Sequence, residues 1–309
     1  MSAYQAERHV AASLDSALAQ TYPRIEIIVV DDGSTDRTPG ILADFARSHG
    51  VQVINQDNLG QSAALNRGLA AARGDYVKFF DSDDLLDPGA VALQVAALES
   101  SPPGQLAYGE WARFHVEPTE AIFVPHPGWH DSSPIEWIVT TWSDTEPMYQ
   151  CALWLIPRAL LSRAGGWDER LGLINDFEFF TRLVLASSGV VHTPGARLYY
   201  RSGLKDSLSR QKSRAALESA WSSSRQAVAL LLAAEDSPRT RRVAAGILQG
   251  LVFAYYPAAP DLMRLALAEV RRLGGTRLRP AGGLGFRCIV GLFGWRVALR
   301  IRRWRSSHG

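Results

Sequence analysis

Short apolar runs alternate with amphipathic stretches over the first hundred residues of the chain. The apolar runs are rich in β-branched side chains and end in Gly or acidic residues, which is typical of buried strands followed by turns. Between them, other stretches place their apolar side chains on one helical face. The predicted strands cover residues 25–31, 51–54 and 76–81, and the predicted helices cover residues 36–49, 61–73 and 88–99. This alternation predicts an α/β fold with a mostly parallel central sheet.

The pattern loosens beyond residue 105 and changes again after about residue 205. A strand is predicted over residues 106–112, and a loop rich in Pro, His and Trp follows it to about residue 145. Beyond Ser209 the chain consists of Ala-, Leu- and Arg-rich helices that are interrupted by Pro and Gly. The other expected elements are helices at 157–164 and 176–187 and a strand at 190–200. We therefore predict one domain over residues 1–208 and a helical, Arg-rich C-terminal region over residues 209–309.

Composition and charge narrow the class of protein. The 309 residues are 47% apolar and 21% charged, which excludes a wholly disordered chain. The net charge of +2 is too small for a nucleic-acid-binding protein, so no nucleic acid partner is expected. The charge is uneven, because residues 261–309 contain eleven Arg and two acids and carry +9, which leaves −7 for the remainder. Cys151 and Cys288 match no ligand spacing, and neither a signal peptide nor a spanning segment is visible, so we expect a reduced, cytoplasmic protein.

Two clusters of carboxylates follow predicted strands. Asp31 and Asp32 end the first strand, and Asp81-Ser-Asp83-Asp84 ends the third. Ligands of open α/β sheets bind beyond the carboxyl ends of the strands, where these clusters are expected to lie. Crowded carboxylates need a cation or hydrogen-bond donors to stay ionised together, and an Asp-x-Asp pair suits Mg²⁺ or Mn²⁺ shared with a diphosphate. The alternative interpretation is that Asp83 or Asp84 caps the helix that follows.

Several segments together resemble glycosyltransferase family 2, in the order and at the spacing of that family. Residues 18–36 (LAQTYPRIEIIVVDDGSTD) resemble its nucleotide-sugar signature, and the resemblance extends over about residues 3–205. The further motifs are Asn58-Leu-Gly60, Asn66-Arg-Gly68, Phe80-Asp-Ser-Asp-Asp-Leu-Leu86, Gly165-Gly-Trp-Asp-Glu169 and Asn175-Asp-Phe-Glu-Phe179. The resemblance implies a GT-A-type α/β domain that transfers a sugar from a nucleoside diphosphate to an acceptor hydroxyl with inversion.

The resemblance also implies roles for individual residues. Asp176 would be the catalytic base. The alternative interpretation is that it caps the start of a helix, with Glu178 as a partner of the helix dipole in the first turn. Trp167 would be a platform for a sugar ring, although a Trp beside two Gly residues is as often a packing anchor. The implied nucleotide-sugar residues are Tyr4, Asp31, Asp32, Asn66, Asp81 and Trp167, and the implied ligands of a divalent metal are Asp81, Asp83 and Asp84.

Three departures from the family pattern qualify these expectations. The apolar strand that should precede Tyr4 is missing, which indicates an internal start or a truncated chain. Asn175 stands where an acid is usual, so like-charge repulsion on Asp176 should be weak and this base should stay ionised under mildly acidic conditions. No Gln-x-x-Arg-Trp motif is present, which favours transfer of a single sugar over polymerisation.

The expected partners follow from the same resemblance. A UDP-sugar is favoured as donor, and a carbohydrate or a lipid-linked molecule is expected as acceptor, in cell-surface polysaccharide or glycolipid synthesis. Apolar residues at helical spacing between Phe286 and Trp304, interleaved with Arg, predict a helix on the anionic inner face of the cell membrane, or alternatively one packed against protein. Two other functions stay open. They are a non-catalytic scaffold of the same fold and a haloacid-dehalogenase-like phosphatase, although the latter is disfavoured by Leu85.

Overall fold

The computed structural model describes residues 1–143, 147–204 and 213–308 of the chain. The α/β class predicted from the sequence is confirmed. The predicted boundary at residues 208 and 209 lies outside the described residues. The largest hydrophobic core contains residues from both sides of that boundary, including Phe180 and Trp154 from the first part and Leu231 and Ile247 from the second.

A three-stranded parallel sheet forms the first part of the fold. Its strand order is β1-β2-β3, and all five residues of β2 are buried because helices cover it. The second helix ends at Gly50, whose φ of +68° is readily available to glycine. The elements are β1 (Ser2–Ala3), α1 (Val10–Leu18), β2 (Ile28–Asp32), α2 (Thr38–His49), β3 (Gln52–Gln56) and α3 (Gln61–Ala71).

A second, mixed sheet of five strands follows, in the order β4-β7-β6-β8-β5. The long central strands β6 and β8 are parallel, whereas the pairs that involve β7 and β5 are antiparallel. The first sheet is therefore wholly parallel, and the second adds short antiparallel pairings around the long parallel pair β6 and β8. The elements are β4 (Tyr76–Val77), β5 (Leu85–Leu86), α4 (Ala90–Glu99), β6 (Gln105–Phe114), α5 (Pro134–Ser143), β7 (Trp154–Pro157), α6 (Arg158–Ala164), α7 (Asn175–Ala186) and β8 (Gly189–Arg201).

Ser2 and Ala3 form the short strand β1, directly before Tyr4. Ser2 pairs with Val30 in β2 and also forms an isolated parallel bridge to Asp81 in the acidic turn. Beside it, the edges of residues 25–28 and 75–80 face a cavity of about 600 Å³. Tyr4 therefore directly follows a strand that lies between the two carboxylate clusters.

Helix α5 corrects the prediction of a loop extending to residue 145. Pro134 starts the helix and Glu136 lies in its first turn, where both residue types are favourable. Its buried face consists of Trp137, Ile138 and Trp142, which recur at helical spacing. The abundance of Pro, Gly and His just before residue 134 concealed this short periodic segment.

Over residues 213–308, four helices form the C-terminal region. Helix α8 packs against α7, and α9 packs against α5. The last helix is interrupted at Gly294, where φ is 78°, so the predicted single apolar stripe is broken into two segments. Within the described ranges, no helix is both long enough and apolar enough to cross a bilayer. The helices are α8 (Arg214–Ala234), α9 (Pro238–Tyr255), α10 (Pro260–Arg272) and α11 (Leu284–His308).

Candidate active site

Asp81, Asp83 and Asp84 lie in the turn between β4 and β5. The side chain of Gln150 clamps this turn, because its Nε2 donates to Asp81 Oδ2 at 3.1 Å and to Asp84 Oδ2 at 2.6 Å. Arg201, the last residue of β8, donates its backbone N–H to Asp84 Oδ1 at 2.7 Å and its Nε to the carbonyl oxygen of Asp83 at 2.8 Å. The acidic turn is therefore held from two distant parts of the chain.

Burial shapes the electrostatics of the turn. It raises the pKa of Asp81, and it raises that of Asp83 to about 7 with help from the neighbouring charge of Asp81. The pKa of Asp84 is raised well above its ordinary value, by burial and by repulsion from the other two carboxylates. Arg201 acts in the opposite direction on Asp83 and Asp84. Three carboxylates so placed carry an energetic penalty that a bound cation would relieve.

The structure narrows the predicted set of metal ligands. Both oxygens of Asp84 accept short hydrogen bonds and the side chain is fully buried, so this carboxylate holds the turn together. Within the described residues, no three His, Cys, Asp or Glu side chains converge well enough to hold a metal by themselves. Asp81 and Asp83 are the less buried members of the predicted ligand set, and the role of Asp84 as a third ligand stays a prediction.

Asp176 lies in the first turn of α7, one residue after the helix begins. Its carboxyl belongs to the same cluster, because the charge of Asp81 raises the pKa of Asp176. Besides burial, the charges of all four carboxylates raise the pKa of Tyr200. Burial is the largest cause, and together with Asp81 it raises the pKa of Asp176 to about 6. The expectation of a base that stays ionised under mildly acidic conditions is therefore wrong, since desolvation outweighs the helix dipole and the missing neighbour acid.

An amide relay joins Asp176 to the acidic turn. Gln61, at the start of α3, donates from Nε2 to Asp81 Oδ1 at 2.9 Å and accepts from Asn175 Nδ2 at 3.3 Å. Asn175 also donates to Ser62 Oγ at 3.0 Å and accepts from the backbone N–H of Asp176. An ionised Asp at position 175 could not donate the hydrogen bonds that Asn175 makes to Gln61 and Ser62. This explains in physical terms why an amide fits the position.

Helix α8 holds the start of α7. Ser219 accepts from the backbone N–H of Leu173 and donates to its carbonyl oxygen, each at 2.9 Å. Ser223 donates to the carbonyl oxygen of Ile174 at 2.5 Å and accepts from the backbone N–H of Glu178 at 3.2 Å. Ile174 has φ 56°, a left-handed conformation that is unusual for a β-branched residue. A strained residue held by buried hydrogen bonds next to Asp176 is typical of a functional site.

The first carboxylate cluster organises loops around Tyr4. Asp32 Oδ1 accepts from Gln56 Nε2 at 2.7 Å, and its two oxygens together accept the backbone N–H groups of Leu59 and Gly60, each at 2.9 Å. Asp31 accepts the backbone N–H of Ser34 at 3.1 Å. Tyr4 is 52% exposed, so its ring is available to a ligand.

Gln5 is a site-forming residue that the sequence analysis missed. Its Oε1 accepts the backbone N–H groups of Thr35 and Asp36, at 2.8 Å and 3.2 Å, and its own backbone N–H donates to Ser34 Oγ. These contacts hold the segment beside Tyr4 against the loop that follows β2. Gln5 has a positive φ of 50°, which no sequence motif announced.

Trp167 and Asn66 are packing elements in this structure. The indole is 4% exposed and stacks on Phe179 with ring centroids 3.9 Å apart, so the prediction of a sugar platform is wrong. Asn66 binds the backbone of Trp167 through both ends of its amide, at 2.8 Å and 2.9 Å, and also contacts Glu169. Its predicted contact with a nucleotide sugar has no direct support, because these protein contacts already occupy the amide.

Two further acids near Asp176 are already paired. Glu178 is buried and forms a bidentate ion pair with Arg182, at 2.7 Å and 3.0 Å. Arg182 also donates to the carbonyl oxygens of the Gly-Gly segment at residues 165–166. Asp168 binds Arg170 at 2.8 Å, and this hydrogen bond lowers the pKa of Asp168. Both side chains are thus structural, and Asp176 is the carboxyl that faces the acidic turn.

Comparison with known proteins agrees with this geometry. A sequence profile described as glycosyl transferase family 2 matches residues 1–163, just over half of the chain. Glycosyltransferase GlyA of Streptococcus pneumoniae serotype 4 is 46% identical over 85 residues. That match covers 27% of this chain and 12% of GlyA, so the chain spans only a small part of this relative's length.

Two solved structures share the fold. Staphylococcus aureus TarS, residues 1–349 in complex with UDP-GlcNAc, superimposes with a TM-score of 0.69 and 18% identity, over 88% of this chain and 79% of TarS. The mannosyltransferase PcManGT of Pyrobaculum calidifontis, in complex with GDP-Man and Mn²⁺, superimposes with a TM-score of 0.55 and covers 97% of this chain and 84% of its own. These likenesses extend beyond residue 163 and show that the fold is shared.

Proposed function

The chain belongs to glycosyl transferase family 2, and we propose that it is a metal-assisted, inverting transferase that moves a single sugar from a nucleoside diphosphate to an acceptor hydroxyl. The observation that carries this proposal is the buried carboxylate cluster around Asp81, whose charge raises the pKa of both Asp83 and Asp176 and which is joined to Asn175 through Gln61. The phosphatase alternative has no support from the family match. We propose cell-surface polysaccharide or glycolipid synthesis as the setting.

We propose a UDP-sugar as the donor. TarS, which has the same fold, binds UDP and UDP-GlcNAc, and this supports the proposal. Tyr4, exposed at the end of β1, would stack on the base, and the loops organised by Asp31 and Asp32 would border it. The carboxylate oxygens of Asp32 are already engaged by three donors, so its role would be to shape the pocket.

A divalent cation, Mn²⁺ or Mg²⁺, fits the donor chemistry of the acidic turn. Asp81 and Asp83 are close enough for the charge of one to raise the pKa of the other, and a cation between them and a diphosphate would relieve that repulsion. Mg²⁺ commonly binds through one or two carboxylates and completes its coordination with substrate phosphates and water. When bound, the cation would neutralise the charge that develops on the leaving diphosphate. PcManGT, a structural neighbour, binds Mn²⁺.

Asp176 would accept the proton of the acceptor hydroxyl. Its pKa of about 6 leaves the carboxyl largely ionised at neutral pH, yet basic enough to take a proton in the transition state. The relay from Asn175 through Gln61 to Asp81 would hold this base at a constant position relative to the leaving group. Positioning of this kind supplies much of the rate enhancement in transfer reactions.

We also propose that the protein acts in the cytoplasm, on the anionic inner face of the cell membrane. Helix α11 exposes large apolar side chains and carries several Arg residues. Basic residues near an anionic surface contribute about 1 kcal/mol each at low salt, and exposed apolar side chains add to this. The most exposed apolar side chains of α11 are Leu284, Leu292, Phe293 and Trp304. This proposal keeps the predicted division of the chain into a catalytic domain, residues 1–208, and a helical, Arg-rich region, residues 209–309.

The transferase proposal is tested with the purified full chain. A panel of UDP- and GDP-sugars is incubated with Mn²⁺ and the released nucleoside diphosphate is measured, with and without EDTA. We expect turnover of a UDP-sugar that EDTA abolishes. Binding of UDP with no turnover of any sugar, across acceptors that include membrane lipid extracts, would instead favour the non-catalytic scaffold.

A further inference from the structure

The start of helix α3 contacts both carboxylate clusters. Gly60, directly before the helix, donates its backbone N–H to Asp32 Oδ2 at 2.9 Å. Gln61, the first helical residue, donates from Nε2 to Asp81 Oδ1, also at 2.9 Å. Two consecutive residues therefore join the nucleotide side of the candidate site to the acidic turn. A ligand bound between these two carboxylates would act directly on the start of α3.

The same helix supports the chain that precedes α7. Residues 165–174, here called the connecting segment, join α6 to α7 and form neither a helix nor a strand. Ser62 Oγ donates to the carbonyl oxygen of Leu171 at 2.9 Å. One helical turn later, the amide of Asn66 accepts the backbone N–H of Trp167 and donates to its carbonyl oxygen. The connecting segment therefore takes its position from α3 on one side and from α8 on the other.

Gln61 is the residue of α3 that reaches both the acidic turn and the start of α7. Besides donating to Asp81, its amide accepts from Asn175 Nδ2 at 3.3 Å, and Asn175 accepts the backbone N–H of Asp176. A carboxylate of the same length could not donate to Asp81, and an amine could not accept from Asn175. At 3.3 Å the contact to Asn175 is slightly longer than an ordinary N–H···O hydrogen bond, so it can shorten when Gln61 is restrained.

We propose that Gln61 is a positioning residue that couples binding of the nucleotide donor to the acceptor side of the site. The inference rests on the proposed function, because it takes Asp176 as the base that is positioned. When the donor occupies the acidic turn, Gln61 is restrained at Asp81 and in turn restrains Asn175 and the end of the connecting segment. Asp81 keeps its contact with Gln61 in that state, because each carboxylate oxygen has two lone pairs. Such coupling is reciprocal, so an ordered connecting segment also favours donor binding.

Hydrogen–deuterium exchange on the full chain tests the coupling without requiring turnover. The backbone amides of residues 167–177 are followed by mass spectrometry, with and without saturating UDP and Mn²⁺. In the wild type, bound UDP should slow exchange in these residues by at least about fivefold, the lower end of typical coupling between two sites. Unchanged exchange in the UDP-saturated wild type would overturn the inference.

Two neighbouring substitutions separate coupling from simple support. Gln61→Met has a similar volume and no N–H donor, so it should leave exchange in the free protein nearly unchanged and abolish the slowing by UDP. Ser62→Ala removes the contact to Leu171, which involves no carboxylate, so it should raise exchange with and without UDP and preserve the difference between the two states. If Gln61→Met instead raises exchange equally in both states, its role is only structural and the inference fails.

Gln56→Met is the matched control on the nucleotide side. Gln56 also donates from its amide to a carboxylate that follows a strand, at 2.7 Å to Asp32 Oδ1. This variant should weaken UDP binding, but at saturating UDP it should show the same slowing of exchange as the wild type. Loss of the slowing in Gln56→Met would mean that any damage to the nucleotide side has this effect, and it would overturn the assignment to Gln61.

Turnover gives a second measurement and separates the two proposals. Gln61→Met should lower kcat by about 10- to 100-fold, as is typical of residues that orient a direct ligand. Slowing of exchange by UDP in a protein that turns over no nucleotide sugar would retain the coupling and remove the transferase. Turnover of a UDP-sugar by a protein whose exchange does not respond to UDP would retain the transferase and remove the coupling.

Discussion

The two sides of the candidate site are built in different ways. On the nucleotide side, Asp31 and Asp32 bind backbone N–H groups in the loops that follow β2 and β3, all within the first sixty residues. On the acceptor side, the segment before Asp176 is held by Ser219 and Ser223, which belong to α8 in the C-terminal region. The first side uses contacts between successive strand–helix units of one sheet, up to about thirty residues apart, and the second depends on a helix of the C-terminal region, about 45 residues further along the chain.

This difference suggests that one side mainly binds the nucleotide and that the other mainly positions Asp176. The loops of the nucleotide side contain Gln5, whose φ is 50°, and Gly33, where a Cβ would lie 2.8 Å from the backbone nitrogen of Asn58. The acceptor side instead places Ile174 in a left-handed conformation that costs roughly 1–3 kcal/mol and relies on α8 to maintain it. We therefore expect changes on the acceptor side to alter turnover, and changes on the nucleotide side to alter binding.

The largest effect is expected at Asp176. Asp176→Asn should lower turnover by about 10²–10⁴-fold, because the acceptor hydroxyl loses its proton acceptor, while UDP affinity stays within about twofold. Turnover and UDP binding are measured on the same preparation. In the wild type, kcat should fall about tenfold per pH unit below pH 6, where Asp176 becomes protonated.

Asp168→Asn is the control for this prediction, because Asp168 is paired with Arg170 and should contribute little to turnover. Near-normal turnover by Asp176→Asn would show that another residue is the base. It would also contradict the expectation that changes on the acceptor side alter turnover.

The next effect is expected at the acidic turn. Asp83→Asn should weaken Mn²⁺-dependent UDP binding by more than about 10²-fold, since removal of a proposed direct ligand should exceed the 10- to 100-fold effect typical of outer contacts. Asp84→Asn should keep most of that affinity, because Asp84 spends both oxygens on Arg201 and Gln150. Calorimetry with and without EDTA measures both. Equal losses in the two variants would show that all three carboxylates act as one unit.

Stability should change in the opposite direction to activity at Asp176. Burial raises its pKa from 3.8 to about 6, so keeping it ionised in the fold costs about 3 kcal/mol above pH 6. That cost decreases as the pH falls from 6 towards 3.8. In this range Asp176 is protonated in the folded protein, and near pH 3.8 it also becomes protonated in the unfolded chain. Asp176→Asn should therefore be more stable than the wild type at pH 8 by up to about 3 kcal/mol, and nearly equal at pH 4.

Urea denaturation at the two pH values measures this difference. Asp168→Asn should show the reverse sign at pH 8, because its ion pair with Arg170 lowers the pKa of Asp168 and stabilises the charged form. A stability gain at Asp176 that does not depend on pH would contradict the assigned cause.

The smallest effect is expected at the anchor between α7 and α8. Ser219→Ala leaves the buried N–H and carbonyl of Leu173 without their partner and should cost about 1–3 kcal/mol of unfolding free energy. We expect turnover to fall more than UDP affinity, because the start of α7 loosens. Ser222→Ala, which bonds only locally to Gln226 among the described contacts, should change stability by less than about 0.5 kcal/mol. A fall in UDP affinity equal to the fall in turnover would contradict the expectation that changes on the acceptor side affect turnover more than nucleotide binding.

The nucleotide side was largely predictable from the sequence, and the acceptor side was not. Strand ends with Asp31, Asp32, Asp81 and Asp83 follow from local hydrophobic pattern and turn chemistry, because both act over a few residues. Asp176 was identified through its motif, but its raised pKa was missed, since burial depends on which elements pack over it. Gln5, Gln150 and Ser219 carry no local signal, because their partners are distant in the chain.

By itself, the sequence determined the alternation of strands and helices, the positions of the acidic turns and the basic character of the C-terminal region. These properties depend on short-range periodicity and composition. Only the tertiary structure decided that Trp167 packs on Phe179, that Asp84 holds the turn, and that α8 supports the start of α7. Each of these outcomes requires residues far apart in the chain to meet, and the burial that follows sets their hydrogen bonds and their pKa values.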